Sequence, residues 1–394
     1  MTAVADTKQR MRPPWYRDVK VLRVVAQVGA VALAVAITAM LLFTARGNLQ
    51  ERGISTDFGF LSQPTQFEIG ESSFDPGDSI TRAIFEGAKN TGLSMAIGVP
   101  LTTLLGVLIG VSRLSQNYLV RKAAGIYVET LRNLPPLLVI LFTNTVILTL
   151  PTIQEASTPF GLFVISNRRF AIPSIVNGTN STFFWIFVLV ALAAALVVWI
   201  SRTRVFNETG RPHHRVAWSF GTFLVTVVAA YFVLGDPVSL SRPQLLAGER
   251  LIVGGTTMLA GYATVTLALT LYTASHVAEI VRGSILAVPK GQTEASFAVG
   301  LSNFQRYRFV VLPQAARIAI PPTINQYLNF TKNTSLALAV GYAEITVVMV
   351  TVIGNGNPAP QSIAILMVVY LIFSLLTSIV MNVVNRRLQL SGQR

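Results

Sequence analysis

The sequence predicts an all-α polytopic membrane protein with about eight transmembrane helices and both termini in the cytoplasm. Hydrophobic residues make up 52% of the 394 residues and charged residues only 12%, about half the charged share of a soluble domain. Apolar stretches of the length needed to cross a bilayer, about 20 residues, recur along the chain. They lie near 21–45, 91–112, 123–150, 183–201, 216–234, 255–281, 334–354 and 362–384.

The charges orient these spans. The first stretch follows the basic segment KQRMRPPWYRDVK, but it is too long for a signal peptide and has no convincing small-residue cleavage site, so it is predicted to be an uncleaved span. Lysine and arginine concentrate in alternate connections, whereas acidic residues gather in the first external loop, 46–90. Cytoplasmic loops of membrane proteins are rich in basic residues. The segments predicted to be cytoplasmic are therefore 1–20, 113–122, 202–215, 282–332 and 385–394.

Features within the spans give further expectations. In LGVLIGV, Gly106 and Gly110 form a G-x-x-x-G pattern that is typical of close helix packing. In the third span, Glu129 and Arg132 share one helix face, where they either neutralise each other or line a polar pathway. Pro135 and Pro136 are expected to bend that helix. The segment 151–182 is expected to be a surface loop.

The connection between the sixth and seventh spans contains the polar segment EASFAVGLSNFQRYRFVVLP, from Glu294 to Pro313. Gly300 can adopt the left-handed conformation that ends a helix, and Ser302 with Gln305 has the spacing of a capping box. Pro313 is expected to end or kink the second helix. The pattern predicts helix, glycine turn, helix, and by itself is equally consistent with an amphipathic connector lying on the bilayer.

Longer motifs show a family resemblance. The order Glu294-Ala295-Ser296, three residues, Gly300, nine residues, then VVLP resembles the EAA loop of binding-protein-dependent ABC importer permeases, with Ser296 replacing an alanine and Val310 an isoleucine. YVETLRNLPPLLVILF, VAEIVRGSILAVPKGQTEA and LPQAARIAIPPTINQYLNFTKNTSLALAVGYAEI resemble segments of the polar amino-acid permeases, with Asn333 in place of the more usual aspartate. The likeness covers roughly 91–150 and 252–386. The elongated form is similar to the Q-type subunits of bacterial general L-amino acid permeases.

The resemblance implies a type I ABC importer transmembrane domain over 91–386, with an insertion at 151–251 that carries two extra helices. It implies that 1–90 is a cytoplasmic tail, an extra span and an external loop, and that 387–394 is a second cytoplasmic tail. It also implies an amino-acid importer of the bacterial inner membrane. Its partners would be an ABC ATPase dimer, a second permease chain, which the long insertion favours as a different homologue, and a periplasmic amino-acid-binding protein.

The resemblance assigns roles to individual residues. The loop 282–332 would couple to the ATPase, through the residues Gly291, Gln292, Glu294, Ala295, Gly300, Arg306, Arg308 and Pro313. Glu344 is expected about 11 residues along the seventh span, ~16 Å from its start, where it could meet a substrate ammonium group. The alternative is a structural partner for Arg132 or for a second permease chain. Asn329, Arg132 and Glu129 complete the expected substrate pathway.

The sequence lacks the motifs of several other classes of function. There is no G-x-x-x-x-G-K-[ST] loop for ATP phosphates, so ATP hydrolysis is expected on another chain. Cysteine is absent, the histidines have no carboxylates beside them, and no catalytic set is evident, so no metal, cofactor or enzyme activity is expected. The net charge of +14 follows from the basic loops, and nucleic-acid binding is not expected. An ion-coupled secondary transporter, a non-transporting scaffold, and a permease for another small polar solute are the alternatives.

Overall fold

A computed structural model describes residues 16, 19–51, 57–70, 74–210, 214–246 and 251–388 of the chain. Residues 389–394 of the predicted cytoplasmic tail and most of the basic N-terminal segment lie outside these ranges. The described part is mainly helical. Its α-helices are α1 (Val19–Glu51), α2 (Ile80–Ser112), α3 (Tyr118–Arg132), α4 (Pro136–Leu148), α5 (Ser181–Thr209), α6 (Arg215–Leu234), α7 (Ala260–Leu286), α8 (Lys290–Ala298), α9 (Asn303–Arg306), α10 (Leu312–Asn333), α11 (Ile345–Gly354) and α12 (Ala359–Leu388).

Within the described ranges, six helices are long and apolar enough to cross a membrane, and up to eight spans result if each of two bent pairs counts as one. The polytopic helical class is therefore confirmed, whereas the number eight and the side of each terminus stay predictions. The first pair is α3 with α4, which meet at 111°. The second joins the helical segment 303–340 to α11 at 48°.

The first bend was expected and the second was not. The bend predicted at Pro135 and Pro136 within the span 123–150 is confirmed, because Pro136 is the first residue of α4 and Pro135 its N-cap, so the helix restarts in a new direction. The predicted span 334–354 is not one continuous helix. A 3₁₀ segment, Thr334–Val340, continues α10, and Gly341 at φ 68° turns the chain before α11 begins at Ile345. In addition, α2 begins at Ile80, so the end of the predicted external loop 46–90 is helical.

Helix α7 is the centre of the packed core, where α2, α3, α4 and α10 contact it. The glycines of α2 allow this close approach, as expected from the G-x-x-x-G pattern. A Cβ on Gly106 would lie 2.6 Å from Val277, and one on Gly110 would lie 2.7 Å from the carbonyl oxygen of Ala278. The larger buried side chains, including Ile140, Leu269 and Phe330, fill the space on the other faces of α7.

The insertion forms a helical hairpin with a small β-layer at one end. Aromatic and cationic side chains pair along α5 and α6: Arg202 lies 4.8 Å above the ring of Trp218, and Arg215 lies 5.2 Å above that of Trp199. The described residues contain seven short strands, and the three that lie within 151–182 correct the surface loop expected there. The seven are β1 (Val164–Ile165), β2 (Arg169–Ile172), β3 (Ser174–Asn177), β4 (Val238–Ser241), β5 (Gln244–Leu245), β6 (Ile252–Val253) and β7 (Thr256–Leu259).

The strands pair antiparallel in the orders β1-β2-β7, β3-β4 and β5-β6. Because β7 ends at Leu259 and α7 begins at Ala260, the three-stranded sheet is joined directly to the central helix. The pair β3-β4 closes the base of the α5–α6 hairpin. The insertion is therefore a structured unit that is fastened to the core through β2 and β7.

Candidate coupling loop and buried charges

The polar segment after α7 folds as predicted into helix, glycine turn, helix. Pro289 is the N-cap residue of α8, and Gly300 follows the helix with φ 74°. The N–H of Gly300 donates to the carbonyl of Phe297, and that of Leu301 donates to the carbonyl of Ser296. These are the two hydrogen bonds of a Schellman cap, whose left-handed residue is usually glycine because a Cβ is strained there.

The second helix starts as predicted but continues further. Ser302 and Gln305 form both hydrogen bonds of a capping box at the start of α9. Of the two outcomes predicted for Pro313, an end of the helix is wrong, because a π-helical turn, Tyr307–Val311, leads into α10, and Pro313 lies within its first two residues. A kink at this residue stays a prediction. Proline is tolerated in the first turn of a helix. Helical structure therefore runs from Asn303 to Asn333, and the predicted loop 282–332 contains most of a span.

The loop is fixed to the two long helices on either side of it. Val288, just before α8, packs with Val311 and Ala315 of the following helix and with Ile285 of α7. A side-chain hydrogen bond of 3.1 Å joins Gln292 on α8 to Gln314 on α10. A displacement of α8 would therefore act directly on α7 and α10.

The outward face of the loop carries the residues that the resemblance singles out. Gly291, Glu294, Ala295, Arg308 and Pro313 are exposed. Large apolar side chains lie among them, with Phe297 54% and Val299 74% exposed. Such a mixture of exposed aromatic, aliphatic and charged groups is typical of a protein-binding surface.

Contacts of Arg306 and Ser296 stabilise the structure of this face. The guanidinium of Arg306 lies 4.4 Å from the ring centre of Phe297, which connects α9 to α8 across the turn. Ser296, which replaces an alanine of the family motif, is buried, and its hydroxyl donates to the carbonyl of Thr293 at 2.6 Å. The polar substitution is accommodated because its only donor has a partner.

A cluster of charges lies beside the loop, where α2, α3 and α7 meet, and the sequence reasoning gave it no role. Glu279 on α7 binds Arg282 at 2.6 Å, is in contact with Arg113 from the end of α2, and lies 4.0 Å from Arg132. The carboxylate is 24% exposed. The signal was present in the sequence, since Glu279 and Arg282 are opposite charges at i, i+3 near the end of an apolar helix.

The expected neutralisation of Glu129 by Arg132 is wrong. Glu129 is 73% exposed and lies 3.7 Å from Arg113, whereas Arg132 approaches Glu279. The packing of α3 against α2 and α7 gives each residue a different partner from the one that helical spacing alone would predict.

Glu344 is not midway along a helix, so that expectation is wrong. It is the N-cap residue of α11, and it is fully buried. Its carboxylate accepts hydrogen bonds from the amides of Thr346 (2.8 Å) and Val347 (3.2 Å), and from the hydroxyls of Tyr370 (2.9 Å) and Thr91 (3.3 Å).

Its expected pairing with Arg132 is also wrong, because among the described residues the hydrogen-bond donors to the Glu344 carboxylate are uncharged and Arg132 approaches Glu279. Asn329 of α10 is exposed, on a different element from Glu344. Its place in a substrate pathway stays a prediction. The structure thus brings Glu129 and Arg132 to one cluster and leaves Glu344 and Asn329 apart from it.

Comparisons with known proteins cover the loop and nearly the whole chain. Residues 222–390 match the family model described as "Binding-protein-dependent transport system inner membrane component". The general L-amino acid transport system permease protein AapQ of Rhizobium johnstonii is 37% identical over 97% of this chain and 95% of its own length. The putative amino-acid ABC transporter permease protein YhdX of Escherichia coli is 37% identical over 92% of this chain and 93% of its own length.

A third relative is the glutamate/glutamine/aspartate/asparagine transport system permease protein BztB of Rhodobacter capsulatus, which is 32% identical over 95% of both chains. Because three relatives align along nearly the whole length, the likeness includes the insertion as well as the segments on either side of it. A crystal structure of an amino acid ABC transporter with histidines aligns over 78% of this chain with 16% identity and a TM-score of 0.44, too weak a likeness to support an argument.

Proposed function

The chain belongs to the family of binding-protein-dependent transport system inner membrane components, the permease subunits of ABC importers, and we propose that its substrates are amino acids. The proposal is supported by the relatives above, whose names specify amino-acid transport. Permease components of this family are non-catalytic, and ATP is hydrolysed on separate ATPase subunits. The alternatives of an ion-coupled carrier and of a scaffold are therefore wrong, while another small polar solute is the remaining rival substrate.

One observation supports the coupling mechanism most strongly: an exposed two-helix loop that is fixed rigidly to two long helices. In the proposed mechanism, the outward face around Glu294 and Phe297 docks on the ATPase. When ATP binding moves the ATPase, α8 follows. The packing of Val288 on Val311 and the hydrogen bond between Gln292 and Gln314 transmit that movement to α7 and α10. Stiff, closely packed elements can transmit such a displacement because they have little freedom to deform.

The family implies an ATPase partner and a binding protein. In the finer proposal the ATPase is a dimer in the cytoplasm, the second permease is a different homologous chain, and a periplasmic binding protein delivers the amino acid. The proposed location is the bacterial inner membrane, with eight spans and both termini in the cytoplasm. The basic residues of the loop, including Arg306 and Arg308, fit that orientation.

The turn provides a matched test of coupling. We expect Gly300→Val to weaken capture of the ATPase, because valine is strained at φ 74° and the two helices can no longer meet at the same angle. Gly221→Val is the control, since both glycines have open space around them but Gly221 lies within α6, away from the loop. The measurement is the amount of ATPase that co-purifies with each variant. Equal capture by the two variants would contradict the assigned role of the turn.

The charge on the docking face is tested separately. Glu294→Lys should reduce both ATPase capture and ATP-driven uptake, whereas Glu155→Lys, an equally exposed reversal in the insertion, should leave both unchanged. Uptake is measured in vesicles that contain the ATPase and the binding protein, with a panel of radiolabelled amino acids. Full ATPase capture and ATP hydrolysis by the assembled complex, without accumulation of any amino acid on the panel, would refute the proposed substrate class but keep the coupling mechanism.

A further inference from the structure

A cavity of about 310 Å³ opens between the end of α2, the start of α3 and the end of α7. Basic side chains dominate its lining: Arg113, Arg121, Lys122 and Arg282. The carboxylate of Glu129 is the one acidic group among the lining residues, and it is largely exposed. No role in coupling or in the substrate pathway has been assigned to this cavity as a whole.

The cavity keeps an excess of positive charge after its ion pairs are counted. The carboxylate of Glu279 sits behind Arg113 and Arg282 and also faces Arg132. With Arg121 and Lys122 included, five basic and two acidic side chains lie in and behind the cavity, which leaves three positive charges. An excess of this size in a concave site attracts anions and is incompletely screened when it is partly buried.

Two of the basic lining residues, Arg121 and Lys122, differ in the contacts that they already make within the protein. Arg121 donates hydrogen bonds to the carbonyls of Ser115 (2.7 Å) and Gln116 (3.5 Å) and lies 5.9 Å from the ring centre of Tyr118, so it is held in position. Lys122 is exposed, and within the described residues no hydrogen bond or ion pair is recorded for it. Its ammonium group is therefore available to an external anion.

Apolar groups at the rim identify the kind of anion. Tyr118 is 63% and Ile126 55% exposed, and both line the cavity from the same short helix as Arg121 and Lys122. The cavity also lies where α2, a 33-residue apolar helix, ends at Ser112. A ligand with a negative head and a hydrocarbon tail would satisfy both the charges and the apolar rim.

We propose that this cavity binds the phosphodiester headgroup of an anionic phospholipid, with its acyl chains against Tyr118 and Ile126. The headgroup phosphate would lie between Lys122 and Arg121, with Arg113 and Arg282 deeper in the cavity. The bound lipid would link α2, α3 and α7 at the end of the core that carries the coupling loop. Basic pockets between membrane helices are suited to such headgroups because each lysine or arginine adds attraction near the surface.

The test measures lipid binding to the full-length purified chain by native mass spectrometry in mild detergent. Dioleoylphosphatidylglycerol is titrated in parallel with dioleoylphosphatidylcholine, which has the same acyl chains and no net charge. We expect phosphatidylglycerol to bind the unmodified chain preferentially. Lys122→Gln should weaken that binding about fivefold, and the double variant with Arg121→Gln about 30-fold, since each charge contributes about 1 kcal/mol. The control is Arg204→Gln, an exposed arginine on α5, which should bind as the unmodified chain does.

Four results would overturn the proposal. Equal binding of the two lipids, or an unchanged affinity in Lys122→Gln, would show that the cavity does not select an anionic lipid. Displacement of the lipid by glycerol phosphate at the same concentration would assign the site to small soluble phosphates. If Lys122→Gln loses the ATPase subunit while lipid binding is unchanged, the basic cavity serves an acidic protein surface. None of these measurements depends on which solute the permease carries.

Discussion

The buried carboxylate of Glu344 gives a prediction that separates a structural role from contact with substrate. Its two oxygens accept four hydrogen bonds, two from the first amides of α11 and two from the hydroxyls of Tyr370 and Thr91. The side chain has no exposed surface, and the groups that surround it are neutral donors. The structure therefore favours a role in joining α11 to α2 and α12 over a role in binding a cation.

Two substitutions at Glu344 distinguish a structural role from contact with the substrate. Glu344→Gln keeps the shape, and its carbonyl oxygen can still accept the amides of Thr346 and Val347, so we expect stability within about 1 kcal/mol of the unmodified chain. Glu344→Ala removes the cap, which costs about 1 kcal/mol, and leaves a cavity, which costs about 2 kcal/mol or more. The total of about 3 kcal/mol should lower Tm by about 5 °C or more in a chain of this size.

The assays are the Tm of the purified complex in detergent and ATP-driven amino-acid uptake in vesicles. The structural role predicts that Glu344→Gln retains uptake and Tm while Glu344→Ala loses both. Tyr370→Phe, which removes one donor to the carboxylate, should be intermediate in Tm. The reasoning would be refuted if Glu344→Gln kept its Tm and abolished uptake, because the negative charge itself would then be required for transport.

Three further outcomes follow from the packing and the charges. Gly98→Ala should lower Tm more than Gly92→Ala, since the first Cβ would overlap a buried phenylalanine ring and the second would make an ordinary 3.6 Å contact; equal Tm values would contradict the packing of α2. Glu279→Gln should lower Tm more at low salt than at high salt. Without the carboxylate three arginines face one another, and salt screens their repulsion. A decrease in Tm that does not depend on salt would contradict this account of the cluster. A reporter fused after Gly254 should be external and one fused after Gly300 cytoplasmic, and the reverse would overturn the proposed orientation.

Features that depend on a few neighbouring residues were predictable from the sequence. The turn at Gly300 and the capping box of Ser302 with Gln305 are encoded within a handful of positions, and both are present. The apolar run 216–234 likewise became α6, Arg215–Leu234, almost to the residue. In each case the neighbouring residues favour one local structure. Glycine is the residue that adopts the left-handed cap without strain, and a helix is the structure in which a single apolar segment satisfies its own backbone hydrogen bonds in lipid.

Features that depend on tertiary packing were not predictable. Arg113 and Glu279 are 166 residues apart, and they meet only because the glycines of α2 allow it to pack closely on α7. The continuous apolar appearance of 334–354 concealed a 3₁₀ segment and a turn at Gly341, which moved Glu344 from the middle of a span to the start of α11. The strands of the insertion were too short for an alternation of apolar and polar residues to identify them.

The π-helical turn at Tyr307–Val311 sets how far α10 is rotated about the helix axis relative to α9. A π turn contains one residue more than an α turn, so it rotates everything after it by about 100° relative to an uninterrupted α-helix. Removal of one residue here would leave a good helix on both sides and an intact proline start to α10. It would nevertheless direct the proposed docking face and the face of α10 that packs on α7 toward different neighbours. In this part of the chain, length is therefore as strictly determined as composition, and the loss or gain of one residue should disturb the structure more than a change of side chain.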